Sequence, residues 1–326
     1  MNSRNILAWG AGALLAMGAL SATAQVSRPL NVLETNPDAR TSALADVMST
    51  RADRMSLFVS PAALLGSDKT FGAEVSSQIY PKIEGLKGQT FQINAVAGYR
   101  FLDRHAVTIG YRYQGMPEAV YFDMSNPAAQ MQTVRPFDWA LDLGYGIRLG
   151  KGFSLSASGN VIASWIGKGA YTFSGSIGAF YQTKISHPDT EPFDFSAGLK
   201  INDLGQPINY KGPANSYAVP ASLQLGTELG FSLGGKNHMD VLAGGRYFFL
   251  PKDATLLLLG VGAEYDYDDL LFARAGYQYG QKGLSFATLG AGAKVLGGLT
   301  FDFSYRFSTS KVTGANIWSV GVGYEF

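Results

Sequence analysis

The chain has 326 residues, a formal net charge of +1 and only 16% charged side chains. It contains 40 glycines, 20 phenylalanines and 17 tyrosines, and no cysteine. A near-neutral charge balance gives no electrostatic basis for binding nucleic acid, and the lack of cysteine excludes thiolate chemistry and most structural zinc sites. The length fits two soluble domains or one large barrel.

The first residues predict a secretory signal peptide over 1–24. Arg4 supplies the positive charge, an apolar stretch runs from Ile6 to Leu20, and Ala22-Thr23-Ala24 forms a small-residue cleavage pattern. A transmembrane anchor is the alternative, but the apolar stretch is short for a span of about 20 residues. We therefore expect cleavage near Ala24 and export of the mature chain to the outer membrane.

Residues 25–69 differ in pattern from the rest of the chain. The sequence after Asn36 predicts a turn followed by a short helix, and the apolar stretch from Leu57 to Leu65 leads toward the first strand. A segment of this length is too small for an independent core. Since a barrel of more than about eight strands is not filled by its own side chains, we expect residues 25–69 to lie inside or across a barrel as a plug or hatch.

Residues 70–326 repeat an alternation of large apolar and small or polar side chains, which is typical of β-strands. In the last strand, Trp318, Val320, Val322, Tyr324 and Phe326 alternate with small or polar residues. The pattern predicts about fourteen strands, at approximately 70–80, 89–101, 105–115, 136–149, 152–164, 171–183, 192–202, 219–232, 238–249, 254–267, 269–280, 284–295, 299–308 and 315–326.

Two architectures produce this alternation. A soluble sandwich buries its apolar face in a core, whereas a membrane barrel turns that face outward to lipid and keeps charges in the lumen. Long strands, aromatic residues near strand ends, and short links alternating with longer ones such as 116–135 and 203–218 favour the barrel. The sequence therefore predicts an all-β fold, a transmembrane antiparallel β-barrel of about 14 strands over 70–326, with the last strand paired to the first.

No arrangement of catalytic or metal-binding side chains is evident, so we predict neither an enzyme nor a cofactor. His105, His187 and His238 lie at strand ends or in loops without metal-ligand spacing, which predicts solvated histidines. The charged residues of the polar strand faces are candidates for the lumen lining, either as a selectivity lining or as mutually paired charges. They include Arg112, Arg148, Arg246, Glu264, Arg274 and Arg306.

The order of several short motifs resembles the FadL-type outer-membrane barrels, and more closely the PorV family of the Bacteroidetes type IX secretion system. The motifs are Asn36-Pro-Asp-Ala-Arg40 with Ala43-Leu-Ala-Asp46, Ser60-Pro-Ala-Ala-Leu64, Tyr99 to Val107, Arg135 to Leu149, and Leu199 to Gly205 followed by Val219 to Gly226. Ser60 stands where asparagine is usual. The resemblance implies a hatch that includes Asn36, Pro37, Asp38, Arg40, Asp46, Ser60 and Pro61.

The resemblance also implies a non-enzymatic outer-membrane component of type IX secretion. Such a protein binds the translocon or secreted cargo that carries a C-terminal signal domain, and hands the cargo to a cell-surface attachment complex. The alternatives are a FadL-type channel for a hydrophobic small molecule and a structural barrel that stabilises a larger translocon. The expected contacts are therefore protein partners, outer-membrane lipids and a lipid or detergent in the lumen, without nucleic acid.

The loops 116–135 and 203–218 are candidates for partner binding, because loops on a rigid scaffold commonly carry recognition. The first contains a set of apolar and aromatic residues that could form an adhesive patch, an internal loop core or a fold-back into the lumen. They are Met116, Tyr121, Phe122, Met124 and Met131.

Deletion of Phe326 tests the prediction that the terminal aromatic residue is the assembly signal of the barrel. Because the deletion removes the last outward-facing ring of the closing strand, we expect impaired membrane insertion. The measurement is heat-modifiable mobility on gels, in which a folded barrel migrates differently before and after boiling. Unaffected mobility would count against an assembly role for Phe326.

Overall fold

The computed structural model describes residues 30–52, 54–121, 131–187, 190–210, 216–295, 297–309 and 316–326. The predicted signal peptide, 1–24, lies outside these ranges, as do Phe122 and Met124 of the predicted loop patch. Three short α-helices occur in these ranges, namely α1 (Asn31–Glu34), α2 (Ala39–Ala43) and α3 (Ala63–Gly66), together with two 3-10 helices at Lys252–Ala254 and Gln281–Gly283. No helix in the described ranges is long and apolar enough to cross a membrane.

The described strands of the wall alternate in direction along the chain. They are β1 (Phe71–Ile79), β2 (Phe91–Phe101), β3 (His105–Gly115), β6 (Phe137–Gly150), β7 (Phe153–Trp165), β8 (Gly169–His187), β9 (Thr190–Gly205), β12 (Ser222–Gly234), β13 (Asn237–Phe248), β14 (Leu256–Tyr267), β15 (Leu271–Gly280), β16 (Phe286–Val295), β17 (Leu299–Ser308) and β18 (Ile317–Glu325). Two hairpins stand apart from the wall, β4 (Ala119–Tyr121) with β5 (Gln132–Val134), and β10 (Ile208–Asn209) with β11 (Ser216–Tyr217).

The fourteen wall strands form one closed antiparallel barrel, in which β18 pairs with β1. The register of this closing pair places Val75 opposite Val322 and Ile79 opposite Trp318. The predicted barrel and the predicted pairing of the last strand with the first are confirmed. The strands β8 and β9 extend beyond their predicted limits, because the ladder between them continues from the pair Ser174–Gly205 to the pair His187–Thr190.

The apolar faces of the strands point away from the lumen. In β18, Trp318, Val320 and Val322 are each 44–47% exposed, whereas Ser319 between them is 3% exposed. A soluble sandwich would bury the apolar side chains and expose the polar ones. The reverse arrangement is the one that a membrane barrel requires.

The links between strands differ at the two ends of the barrel. One end, here the short-turn end, has links such as 102–104, 151–152, 235–236 and 268–270. The other, here the long-loop end, has the links 80–90, 116–136 and 206–221, together with the shorter link 166–168.

Residues 30–69, here the N-terminal segment, run through the lumen from the long-loop end to the short-turn end. Near the long-loop end, Leu30 and Val32 pack in a buried cluster with Ile208 and Val219. Near the short-turn end, Arg100 donates a hydrogen bond of 3.0 Å to the carbonyl oxygen of Asp68. A second buried cluster, which includes Leu57 and Leu64 from the segment, packs there against Val96, Ala106 and Phe180 of the wall.

The link 206–221 does not extend freely from the barrel. Ile208 is fully buried and Tyr210 is 4% exposed, and both lie in the cluster that surrounds Leu30. The described part of the predicted loop 203–218 therefore covers the N-terminal segment over the lumen. The apolar residues of α1 and the loop explain this fold-back, since each element covers the other.

Interior glycines make room for the N-terminal segment. A Cβ atom at Gly276 would lie 2.7 Å from the backbone nitrogen of Ala45, and one at Gly226 would lie 2.5 Å from the carbonyl oxygen of Met48. Glycine within a strand is typical of such close backbone approach. We name the set in contact with the segment the glycine belt, and it comprises Gly72, Gly98, Gly144, Gly146, Gly198, Gly226, Gly230, Gly244, Gly260, Gly262, Gly276, Gly290 and Gly321.

Substitution of Gly276 by valine should displace the N-terminal segment, because the added carbons overlap the backbone of Ala45. Overpacking of this kind destabilises a protein by about 1–3 kcal/mol. We expect a lower urea midpoint in detergent micelles, measured by tryptophan fluorescence. The matched control is Gly159→Val, since Gly159 faces outward with no atom within 4 Å of its Cβ position. An equal shift in both variants would contradict the role of the glycine belt.

Candidate functional site

Wall side chains bind the backbone of the N-terminal segment along its length. Thr288 Oγ1 accepts a hydrogen bond from Ala45 N (3.2 Å) and donates one to the carbonyl oxygen of Ala43 (2.7 Å). Lys200 Nζ donates to the carbonyl oxygen of Val59 at 2.7 Å, and Gln182 Oε1 accepts from Ala52 N at 3.0 Å. These hydrogen bonds matter because the buried segment is largely irregular, so most of its backbone N–H and C=O groups have no partner in a helix or sheet.

Glu228 on β12 holds the middle of the segment. The residue is completely buried. Its Oε2 atom accepts hydrogen bonds from Ser49 Oγ (2.8 Å), Thr50 N (3.0 Å) and Arg51 N (3.2 Å). One carboxylate oxygen thus satisfies three consecutive residues of the segment. The other oxygen, Oε1, stands 3.9 Å from Arg40 Nη2.

Arg40 forms the main ionic contact between the segment and the wall. Its Nε and Nη2 atoms donate to the two carboxylate oxygens of Glu264, each at 2.9 Å. Arg274 Nε also donates to Glu264, and Arg274 Nη1 reaches Asp302 Oδ1 at 2.5 Å. Glu264 thus lies between two arginines, one from the segment and one from the neighbouring strand β15.

The residues predicted for the hatch share one local structure in the lumen. Asp38 caps helix α2, since its carboxylate accepts hydrogen bonds from Arg40 N (3.2 Å) and Thr41 N (2.9 Å). Asn36 Nδ2 donates to Asp46 Oδ1 at 2.9 Å. The carbonyl oxygen of Pro37 accepts a hydrogen bond from the Ser76 hydroxyl.

The second predicted hatch motif begins near the other end of the segment. Ser60 is buried, and its Oγ atom accepts a hydrogen bond from Ala62 N at 3.0 Å. Pro61 lies against the glycine belt, because a Cβ atom at Gly144 would stand 2.7 Å from its Cγ. The structure therefore places both motifs inside the barrel, with the intervening chain between them.

Most of the predicted lumen charges are paired. Arg112 binds both carboxylate oxygens of Asp142 at 2.9 and 2.6 Å, and Arg306 Nη2 reaches Asp46 Oδ2 at 2.5 Å. Arg246 Nε donates to Ser222 Oγ at 2.8 Å. With Glu264 and Arg274 in the cluster around Arg40, this geometry favours mutual pairing over a selectivity lining. Arg148 differs, since it lies near the short-turn end outside these pairs.

Of the three histidines predicted to be solvated, His238 has 24% of its side chain exposed and also makes polar contacts within the lumen. Its Nε2 atom lies 3.1 Å from Asp240 Oδ1, which also accepts from Arg51 Nη1 at 2.7 Å. The ring is held there because Asp240 is completely buried and lies on the same strand. His105 Nδ1 stands 2.6 Å from the Tyr145 hydroxyl. Within the described ranges, no group of three or more His, Asp or Glu residues could hold a metal ion.

The hairpin β4–β5 carries the described part of the predicted loop patch. Met131 is 75% exposed, while Met116 and Tyr121 are half-buried. Val120, which the sequence analysis did not single out, is 60% exposed and extends the apolar surface. At its base, Glu118 binds Arg135 at 2.7 Å, and this hydrogen bond lowers the pKa of Glu118.

Several residues that hold the segment were not predicted from the sequence. Glu228, Asp240 and Thr288 occupy polar positions of their strands, as the alternation indicates. Their partners in the segment, however, lie far away in sequence. Only the polar face could have been inferred, and not the contact that each residue makes.

Replacement of Arg40 by methionine should destabilise the folded barrel, because it leaves Glu264 buried with Arg274 as its remaining close cation. Breaking a buried ion pair costs about 3–5 kcal/mol. The measurement is the free energy of unfolding from urea titrations in detergent micelles. Lys236→Met is the control, since Lys236 and Asp268 form an exposed pair worth about 1 kcal/mol or less. Similar losses in the two variants would contradict the central role of Arg40.

Solved structures with a similar architecture include two that are described as a toluene transporter and a monoaromatic hydrocarbon channel. The Pseudomonas putida toluene transporter TodX is 11% identical, with 86% of this chain and 94% of that chain covered and a TM-score of 0.54. The CymD monoaromatic hydrocarbon channel is 10% identical, with 92% and 99% covered and a TM-score of 0.56. A Pseudomonas aeruginosa FadL homologue is 14% identical, with 90% and 99% covered and a TM-score of 0.49. At these identities, the first two likenesses show the fold alone, and the predicted FadL-like barrel is confirmed.

No curated protein matches the sequence significantly. The family model described as type IX secretion system protein PorV matches residues 22–252. This match spans the N-terminal segment, the hairpin β4–β5 and the wall as far as β13. The family is one of secretion proteins and not of enzymes. The chain therefore belongs to the PorV family, as an outer-membrane component of the type IX secretion system.

Proposed function

We propose that this barrel binds cargo or translocon partners through its long-loop end and hands cargo to the cell-surface attachment complex. The observation that carries the proposal is the N-terminal segment, which runs through the lumen and is packed in buried apolar clusters near both ends. A lumen occupied in this way leaves the exposed loops as the surface for a macromolecular partner. Membership of a secretion family supports a protein partner.

The proposed orientation places the long-loop end outside the cell. Outer-membrane barrels have short periplasmic turns and longer extracellular loops. The mature protein would begin near Gln25 after removal of the signal peptide 1–24, followed by a plug over 25–69 and the barrel over 70–326. The apolar outward faces would contact outer-membrane lipids.

We assign the plug a structural role. Asn36, Pro37, Asp38, Arg40 and Asp46 bind one another and the wall, as the contacts above describe. Movement of the plug would separate Arg40 from Glu264 and uncover the glycine belt. The plug thus supports a rigid scaffold on which the loops present a fixed surface.

The alternative is a FadL-type channel for a hydrophobic small molecule. Its support is the barrel fold that this chain shares with monoaromatic hydrocarbon channels. Against it stands the composition of the lumen, in which paired side chains such as Arg112 with Asp142 and Arg40 with Glu264 surround the segment. An apolar solute prefers a predominantly apolar lining.

Substitution of the exposed hairpin residues Val120 and Met131 by glutamate tests partner binding. Since a buried interface core excludes unpaired charge, we expect the double variant to recover less translocon protein or cargo with a C-terminal signal domain from outer membranes. Two quantities are measured. The first is the amount of partner protein recovered by affinity pull-down with quantitative mass spectrometry, and the second is the amount of cargo secreted by a deletion strain complemented with each variant.

The control is Leu270→Glu, because Leu270 is 45% exposed on the link 268–270 of the short-turn end. We expect this variant to recover partners as the unsubstituted protein does. Normal secretion in the deletion strain, with only lipid or detergent recovered in the lumen, would overturn the proposal in favour of the channel. A reduced amount of the translocon itself in that strain would instead indicate the structural barrel.

A further inference from the structure

A groove of about 540 Å³ opens at the short-turn end, between the N-terminal segment and the wall. Its lining from the segment includes Ala62 and Leu65, and its lining from the wall includes Phe180 and Gln182. The volume lies within the range of roughly 300–1,000 Å³ that is common for ligand sites. The groove lies at the end of the barrel opposite the proposed partner-binding hairpin.

Three cations line this groove. Arg104 is exposed on the link 102–104, Arg148 is half-buried at the end of β6, and Lys151 is exposed on the link 151–152. A backbone hydrogen bond of 2.8 Å from Arg148 N to the carbonyl oxygen of Arg104 fixes the link 102–104 beside the end of β6. Asp103 is the single carboxylate among the groove residues that the structure describes.

The cations of the groove differ from those on the opposite side of the same end. There, Lys294 Nζ lies 2.6 Å from Asp269 Oδ2, Arg54 binds Asp266 at 2.5 Å, and Lys236 pairs with Asp268. In the described ranges, no carboxylate oxygen lies within 4.0 Å of a charged nitrogen of Arg104, Arg148 or Lys151. The positive charge of the short-turn end is therefore left uncompensated on one side, at the groove.

The cations of the groove lie on the lumen side and at the water-facing edge of the wall. Arg148 and Ser154 are cross-strand neighbours on the lumen face, whereas Phe153 and Tyr181, which form the outer rim of the groove, are exposed outward. A lipid headgroup in the membrane would meet the outward face. A chain entering from the water at the short-turn end would meet the cations.

We propose that this groove binds an acidic peptide segment of a partner protein on the periplasmic side of the barrel. Its carboxylates pair with Arg104, Arg148 and Lys151, and the planar guanidinium groups suit carboxylates in two-point contact. The site provides a second contact surface, separate from the long-loop end, so one barrel joins partners on both sides of the membrane. This proposal does not depend on which partner the hairpin β4–β5 binds.

A direct binding measurement tests the proposal. The probe is a short fluorescein-labelled peptide of alternating aspartate and serine, titrated with the full chain in uncharged maltoside micelles and followed by fluorescence anisotropy. We expect saturable binding that weakens roughly tenfold in Arg104→Gln/Lys151→Gln, since two ion pairs are lost. Binding should also weaken in about 1 M salt, where the screening length falls to about 3 Å.

The matched control is Lys236→Gln/Lys294→Gln, which removes the same charge from the opposite side of the same end. This variant should bind the probe as the unsubstituted protein does. Equal weakening in both variants would show attraction to net charge alone and overturn the proposal. It would also be overturned by equal binding of a lysine–serine peptide, or by stronger binding of vesicles that contain anionic phospholipid.

Disulfide crosslinking tests where the peptide binds. The chain contains no cysteine, so a single introduced cysteine is the only one that can react. An aspartate–serine peptide that ends in cysteine should crosslink to Ser154→Cys at the groove and not to Ser232→Cys, which is exposed across the short-turn end. Both variants retain the three cations of the groove, so the two variants differ only in the position of the cysteine that the bound peptide can reach. Crosslinking of both positions to the same extent would contradict a site at the groove.

Discussion

The structure depends on the burial of Glu264 in the wall of a wide barrel. A carboxylate without solvent is stable only beside cations and hydrogen-bond donors, and Glu264 receives Arg274 from the next strand and Arg40 from the N-terminal segment. The segment is therefore part of the electrostatic balance of the wall, and the wall in turn satisfies the segment. Glu228 shows the same dependence in a different form, since its buried carboxylate binds backbone groups near Thr50.

Shape and charge act together in this arrangement. The glycine belt allows the segment to approach the strands closely, so short polar side chains such as Thr288 reach its backbone. Close approach also removes water from around the ion pairs, which strengthens each pair and makes an unpaired group more costly. A segment held in this way is suited to a scaffold role, and the exposed hairpin is suited to recognition.

The sequence predicts the wall well because the two-residue alternation is local. Trp318, Ser319 and Val320 indicate their faces without knowledge of any neighbour. The contacts inside the lumen are not local, since Arg40 meets Glu264 across most of the chain. The same limit applies to His238, whose position near a strand end indicates solvent but not the contacts of its ring with the buried Asp240 and Arg51. It also explains the fold-back of Ile208 and Tyr210, because a loop with apolar residues does not reveal which surface it covers.

The closing pair β1–β18 has a consequence for how the molecule can assemble. The N-terminal segment continues directly into β1, and the wall surrounds it once β1 and β18 have joined. At the glycine belt the segment lies against the strands so closely that bulky residues such as Leu44 and Met48 would have to pass the wall if the segment entered after closure. We therefore expect β1 and β18 to join around a segment that is already in place.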